Sequence, residues 1–168
     1  RALLATLMGI ASQCDGVRCD MAMLVTNQVF SRTWGERAGP APDVDFWQEL
    51  IPPIREHVPD FLFIAEVYWD MEWQLQQQGF DYCYDKRLYD RLVHESAESV
   101  RLHLTADLTY QDRLLRFIEN HDEPRALSSL DLARSQAAAT IALTLPGLRL
   151  LHEGQLEGRR IKVPVQLG

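Results

Sequence analysis

An α/β fold built on a parallel sheet is what the sequence predicts. Two observations carry the prediction: apolar runs of strand length alternate with segments of helix-forming composition, and one run, FLFIAEV at residues 61–67, shows no polar alternation. A strand that is apolar on both faces is covered on both, as in parallel sheets with helices packed against them. The alternation allows either a doubly wound sheet or a closed barrel.

Taken in order, residues 2–13 favour a helix, with Leu3, Leu4, Leu7, Met8 and Ile10 on its apolar face and Asp15-Gly16 closing it. A short strand follows at Val17 to Met21, then a long polar loop through Gly39-Pro40, and a helix from about Asp45 to His57 that Pro59-Asp60 stops. After the 61–67 strand the pattern gives a strand at Phe80 to Tyr84, a helix at Lys86 to Leu104, a strand at Leu114 to Glu119, a helix around Ser135 to Leu145, and a strand at Leu148 to Leu151. There is no Gly-rich phosphate loop, low-complexity segment or residue-level repeat.

Composition bounds the partners. The 168 residues carry a net charge of -7 with basic residues scattered among acids, which argues against nucleic acid. No apolar run approaches the roughly 20 residues that span a bilayer, so no membrane partner is expected. Cys14, Cys19 and Cys83 show no C-x-x-C spacing and sit in apolar stretches, which reads as buried, reduced thiols and favours a cytoplasmic setting. The opening on Arg1, with no cleavage-site signature, suggests a chain cut from something longer.

Three of the apolar runs end on carboxylates: V-R-C-D at Asp20, F-L-F-I-A-E at Glu66 and F-I-E-N-H-D at Asp122. The carboxyl edge of a parallel sheet is where catalytic groups collect. Period-two geometry puts Arg18 and Asp20 on one side of their strand, where the guanidinium can orient the carboxylate. On one strand alone this reads first as a structural ion pair; acids at three strand ends shift the reading toward a site.

The three segments together resemble a known family. GVRCDMAML is similar to the G-x-R-x-D segment of the α-amylase family (glycoside hydrolase family thirteen), FIAEVYW to its strand-end glutamate segment, and FIENHD to its F-x-x-N-H-D segment, in the right order and spacing. LPGLRLLHEGQLEG resembles the family's last barrel strand and the loop after it. The resemblance implies a partial catalytic (β/α)8 TIM barrel over residues 1–168, covering about the fourth to eighth strands. The first three strands and a sugar-binding Asp and His would be missing, so the isolated chain is expected to be inactive.

It further implies a retaining α-glycosidase acting on an α-linked glucan or oligosaccharide, with Asp20 as nucleophile, Glu66 as general acid and base, and Asp122 as the stabilising carboxylate. Arg18 and His121 match the family's nucleophile-orienting and substrate-binding positions. Retention needs an ionised carboxylate on one face of the sugar and a protonated one on the other, about 5 Å apart. Tyr68, Trp69 and Trp73 follow the acid and suit sugar faces, Tyr68 and Trp69 foremost, whereas Trp34 and Trp47 read as structural. The family's His four residues past the nucleophile is Leu24 here, so no cofactor is expected and calcium is disfavoured. His152 and Glu153 either line the pocket or cap their loop, and Glu119 and Glu123 read as surface or supporting residues. A transglycosidase of trehalose synthase, branching enzyme or maltosyltransferase type shares these motifs; a non-catalytic barrel homologue would be expected to have lost an acid.

Overall fold

The computed structural model describes residues 2–166, in two compact units that divide between Tyr84 and Asp85. In the first, helix α1 (Ala2–Ala11) leads to strand β1 (Gly16–Cys19), helix α2 (Asn27–Trp34), helix α3 (Phe46–His57), strand β2 (Leu62–Ala65), helix α4 (Glu72–Gln77) and strand β3 (Tyr82–Tyr84). β1, β2 and β3 pair in that order and parallel, with Gly16 opposite Leu62, Cys19 opposite Ala65 and Ala65 opposite Cys83. Gly16 is required by this pairing: a Cβ there would stand 2.7 Å from the Leu62 carbonyl oxygen.

The core of this unit is aromatic. Phe61, Phe63, Phe80 and Trp47 are buried and meet edge to face, with centroids 5.3 Å apart for Phe61–Phe63 and 4.8 Å for Trp47–Phe80. Ile51 and Ile54 of α3 and Leu75 of α4 close over them. Each such side chain contributes about 1.5–3 kcal/mol by leaving water, which is why α3 forms despite Pro52 and Pro53 inside it.

The stretch expected as a long polar loop is helical instead. A 3-10 turn at Ala22–Val25 precedes α2, and another at Gly35–Ala38 follows it. The Thr26 hydroxyl accepts from Val29 N, and Asp45 Oδ1 accepts from Asn27 N at 2.6 Å, so α2 is capped twice at its start. Val29 is buried while most of the helix faces outward, and that exposure accounts for its polar composition.

In the second unit, helix α5 (Lys86–His94), helix α6 (Ala97–His103), helix α7 (Leu108–Gln111), strand β4 (Leu114–Arg116), helix α8 (Ala126–Ser129), helix α9 (Leu132–Thr144) and strand β5 (Leu148–Arg149) succeed one another. β4 and β5 pair parallel, Leu115 opposite Leu148. The helix expected from Lys86 to Leu104 is two, because Glu95 is extended and Ser96 caps α6, its hydroxyl accepting from Ser99 N. Ile118, Ala126, Leu130, Ala138 and Ala142 form one buried cluster, and Tyr89 stacks on Phe117 at 5.5 Å.

A buried ion pair also organises this unit. Asp85 caps α5 through Leu88 N and receives the Arg116 guanidinium and His103 Nε2, the latter at 3.0 Å. Burial pulls Arg116 down to about 10, which leaves it charged at neutral pH. Replacing Asp85 with Ala strands that cation, and a loss of about 3–5 kcal/mol is expected, read as a lower urea midpoint at unchanged slope.

The cysteines depart in part from expectation. All three are free; Cys83 is buried, Cys19 is half-buried, and Cys14 is exposed because it falls beyond the end of α1. Burial pushes the Cys19 thiol up to about 12 against the opposing pull of Arg18, so it is not a thiolate at neutral pH. No helix among the described residues is long and apolar enough to cross a membrane.

Candidate active site

The register of β1 and β2 positions the first pair of carboxylates. Asp20 and Glu66 directly follow the last pair, Cys19 and Ala65; Glu66 N donates to Cys19 O (3.0 Å), and Glu66 O accepts from Ala22 N (2.9 Å) rather than Met21 N, so the ladder breaks there. Residues on one rung of a parallel pair point to the same face, with strands about 4.8 Å apart. Arg18, two residues before Asp20, shares that face and bridges both acids: Nη1 pairs with Asp20 Oδ1 and Nη2 lies 2.9 Å from Glu66 Oε1. Its guanidinium also lies over the Tyr84 ring, 5.7 Å from the centroid. Burial would lower the Arg18 pKa, but the hydrogen bond to Asp20 and the charge of Glu66, with Tyr84, raise it above its ordinary value.

The two acids have unlike surroundings. The Asp20 side chain is 78% exposed, that of Glu66 only 5%. Glu66 Oε1 lies in ionic contact with Arg18 and accepts from the Tyr68 hydroxyl (3.1 Å), and Oε2 accepts from the Met21 N–H at 2.7 Å. Oε2 is thus the oxygen away from the Arg18 cation.

Backbone strain gathers here. The non-glycine residues with positive φ among the described residues are Met21 (44°), Trp69 (63°) and Asp70 (59°), all within five residues after the end of β1 or β2. Each costs on the order of 1–3 kcal/mol, a cost that concentrates at working sites. Met21 in this conformation aims its N–H at Glu66, and Trp69 stands 61% exposed.

In the second unit, the loop after β4 carries Asp122 and His121, both partly exposed and joined through His121 Nε2 to Asp122 Oδ2 at 3.0 Å. Asn120 shapes the loop, its Oδ1 accepting from Asp122 N (2.9 Å) and Glu123 N (2.8 Å). Glu119 is not a surface residue: it is buried, accepts from Ala126 N at 2.6 Å, and pairs with Arg125 (3.2 Å) and His152 (3.5 Å). Arg125 also donates to the Glu153 carbonyl at 2.8 Å. His152 thus ties the loops after β4 and β5 together. Glu123 pairs with Lys86 at 3.2 Å.

The structure therefore groups Arg18, Asp20, Glu66 and Tyr68 in one cluster, and His121 with Asp122 in another. Tyr68, expected against a sugar face, puts its hydroxyl on Glu66. Trp47 is buried as expected, donating from Nε1 to Ala22 O, but Trp34 is exposed beside Phe30. The Met21 N–H was illegible, since any residue type supplies it; the Arg125 partnership of Glu119 had no spacing signal. No group of three or more His, Cys, Asp or Glu among the described residues could hold a metal ion.

No protein-family model matches the chain. It is 28% identical to α-amylase MalA of Haloarcula japonica over 95% of its own length but only 23% of the relative's, so it spans about a quarter of that protein. Among solved structures, an α-amylase from Geobacillus thermoleovorans complexed with acarbose superposes over 95% of the chain and 36% of its own, at 21% identity and a TM-score of 0.72. An α-amylase from Lactobacillus plantarum does so over 95% and 39%, at 24% and 0.68. Five strands, parallel within each unit, agree with part of a (β/α)8 barrel, and no closed barrel is present among the described residues. Over this part of their length, the chain has the fold of the α-amylase structures.

Proposed function

We propose that the protein is a retaining α-glycosidase acting on α-glucans or α-glucosides, with Asp20 as nucleophile and Glu66 as general acid and base. The observation that carries this reading is the shared guanidinium: two carboxylates just past the ends of adjacent strands, both in contact with Arg18. One guanidinium between them keeps the two acids close, as the roughly 5–5.5 Å between carboxyls of retaining glycosidases needs.

In the first step an Asp20 oxygen attacks the anomeric carbon as its bond to the leaving oxygen breaks, and Glu66 gives that oxygen its proton. Oε2 is where such a proton fits, since Oε1 faces the Arg18 cation. In the second step Glu66 takes a proton from water, the water oxygen bonds to the anomeric carbon, and Asp20 leaves as carboxylate. Asp122 and His121 are assigned the sugar hydroxyls, where hydrogen bonds that tighten as the ring flattens stabilise the transition state. Tyr68 holds Glu66 and Trp69 meets the leaving-side sugar.

The test is the stereochemistry of the first product. When hydrolysis of an α-glucan by the protein with its complete barrel is followed by proton NMR, the α-anomer is expected first, with the β-anomer rising only by mutarotation. Initial release of the β-anomer would overturn the double displacement.

A further inference from the structure

The strand next to the candidate acid ends on an aromatic residue that the catalytic reading does not use. β3 pairs with β2 through Ile64 opposite Tyr82 and Ala65 opposite Cys83, and β2 pairs with β1 through Arg18 opposite Ile64. Arg18, Ile64 and Tyr82 are therefore level across the three strands, and by period two Tyr84 stands on their face, two residues nearer the carboxyl edge. The Arg18 side chain rises to meet it. Its Cζ lies 5.7 Å from the Tyr84 ring centroid, inside the roughly 6 Å at which a ring face attracts a cation. Burial opposes the Arg18 charge, and after Asp20 and Glu66 a hydrogen bond to the Tyr84 side chain helps to sustain it. A guanidinium only donates, so the phenol oxygen is the acceptor.

We propose that Tyr84 is a positioning residue for the glycosidase reaction, its ring and hydroxyl holding the Arg18 guanidinium in the orientation that reaches both Asp20 and Glu66. The proposal rests on the glycosidase reading, because Tyr84 acts on those two acids through Arg18.

The acids alone leave that orientation loose. Asp20 stands in solvent and is a weak anchor for a long, rotamer-rich side chain, and Glu66 engages Nη2 at 2.9 Å without fixing the plane of the guanidinium about that contact. Tyr84 supplies the missing restraint: it is buried, and its strand is hydrogen-bonded to β2. A phenol also suits the place chemically. It accepts from the cation through a hydroxyl, where a third carboxylate would compete with Asp20 and Glu66 for the same guanidinium. Its flat face fixes the plane of the fork, which an aliphatic side chain cannot do.

The test uses the protein with its complete barrel and compares Tyr84→Phe, Tyr84→Leu, Arg18→Lys and the double variant Arg18→Lys/Tyr84→Phe on 4-nitrophenyl α-glucoside. Tyr84→Phe keeps the ring face and is expected to lower kcat by about tenfold, and Tyr84→Leu, which loses the face as well, by about a hundredfold, with KM within about twofold in both. In the Arg18→Lys background the Tyr84→Phe step should shrink to about twofold or less, because the fork that Tyr84 orients is gone. Isotope labelling of arginine gives a readout independent of turnover: the Nη NMR signals of Arg18, identified by their loss in Arg18→Lys, are expected to be resolved in the parent and averaged by rotation in Tyr84→Leu. Should Tyr84→Leu fail to fold, Tyr84→Phe keeps the buried ring and carries both readouts.

Unchanged kcat in both Tyr84 variants, a change in KM alone, or losses that add in full to that of Arg18→Lys would overturn the positioning role and leave the glycosidase reading standing. Arg18 signals indifferent to Tyr84 would overturn it as well. If the parent turns over no α-glucoside while loss of Tyr84 still frees the Arg18 signals, the hold of Tyr84 on Arg18 stands and the glycosidase reading falls.

Discussion

In a longer protein that carries the complete barrel, Asp20→Asn is expected to lower kcat on activated α-glucosides by on the order of 10⁴-fold or more, the scale seen when a covalent nucleophile is removed. The amide keeps the size of the side chain but cannot form the glycosyl ester. The fold should be nearly untouched, because Asp20 is 78% exposed and its partner, Arg18, keeps its contact with Glu66. A thermal midpoint within a few degrees of the parent is therefore part of the expected result. Asp20→Ala supplies the sharper observation. With the carboxylate gone, azide can enter from the face that Asp20 occupied, and an α-glucoside should then yield the β-glycosyl azide. A merely structural Asp20 would give no azide product, and residual activity within tenfold of the parent would remove it from the nucleophile's role.

The sequence disclosed this pair of carboxylates because a strand end is a strong local signal. FLFIAEV has to be a buried strand, V-R-C-D follows a helix stop, and period-two alternation joins Arg18 to Asp20 without any tertiary information. It could not disclose that the same guanidinium reaches Glu66, since that depends on the register of β1 against β2. Register is a matter of which residues meet across 45 intervening positions. The loop read between residues 22 and 44 failed for a related reason. α2 exposes most of its surface, so its composition is polar, and Thr26 and Asp45, which start it, are both common in loops. Glu119 reads from the sequence as either a surface or a supporting residue, and only the fold decides between them: it is buried, with Arg125 and the Ala126 N–H as partners.

Glu66 should separate from Asp20 by its dependence on the leaving group. An alkoxide leaving from a glucan needs protonation, whereas a dinitrophenolate does not, so Glu66→Ala is expected to slow glucan cleavage by about 10²–10⁴-fold and to spare the first step on a dinitrophenyl glucoside. The second step also loses its base, so the glycosyl-enzyme should accumulate after a burst of dinitrophenol. Azide, which needs no base, should then restore turnover and give the α-glycosyl azide, the anomer opposite to that from Asp20→Ala. Glu66→Gln is the less clean variant in this protein. Both carboxyl oxygens accept, Oε1, which also faces the Arg18 cation, from Tyr68 and Oε2 from Met21 N. Either orientation of a glutamine amide turns its NH₂ group toward one of those donors, at an expected cost of about 1–3 kcal/mol in stability. A fall in thermal midpoint for Glu66→Gln alongside leaving-group-dependent losses in Glu66→Ala would be consistent with both the hydrogen-bond geometry and the acid role. Equal losses on glucan and dinitrophenyl glucoside, with no rescue by azide, would instead leave Glu66 as a partner that holds Arg18 and the Met21 turn in place.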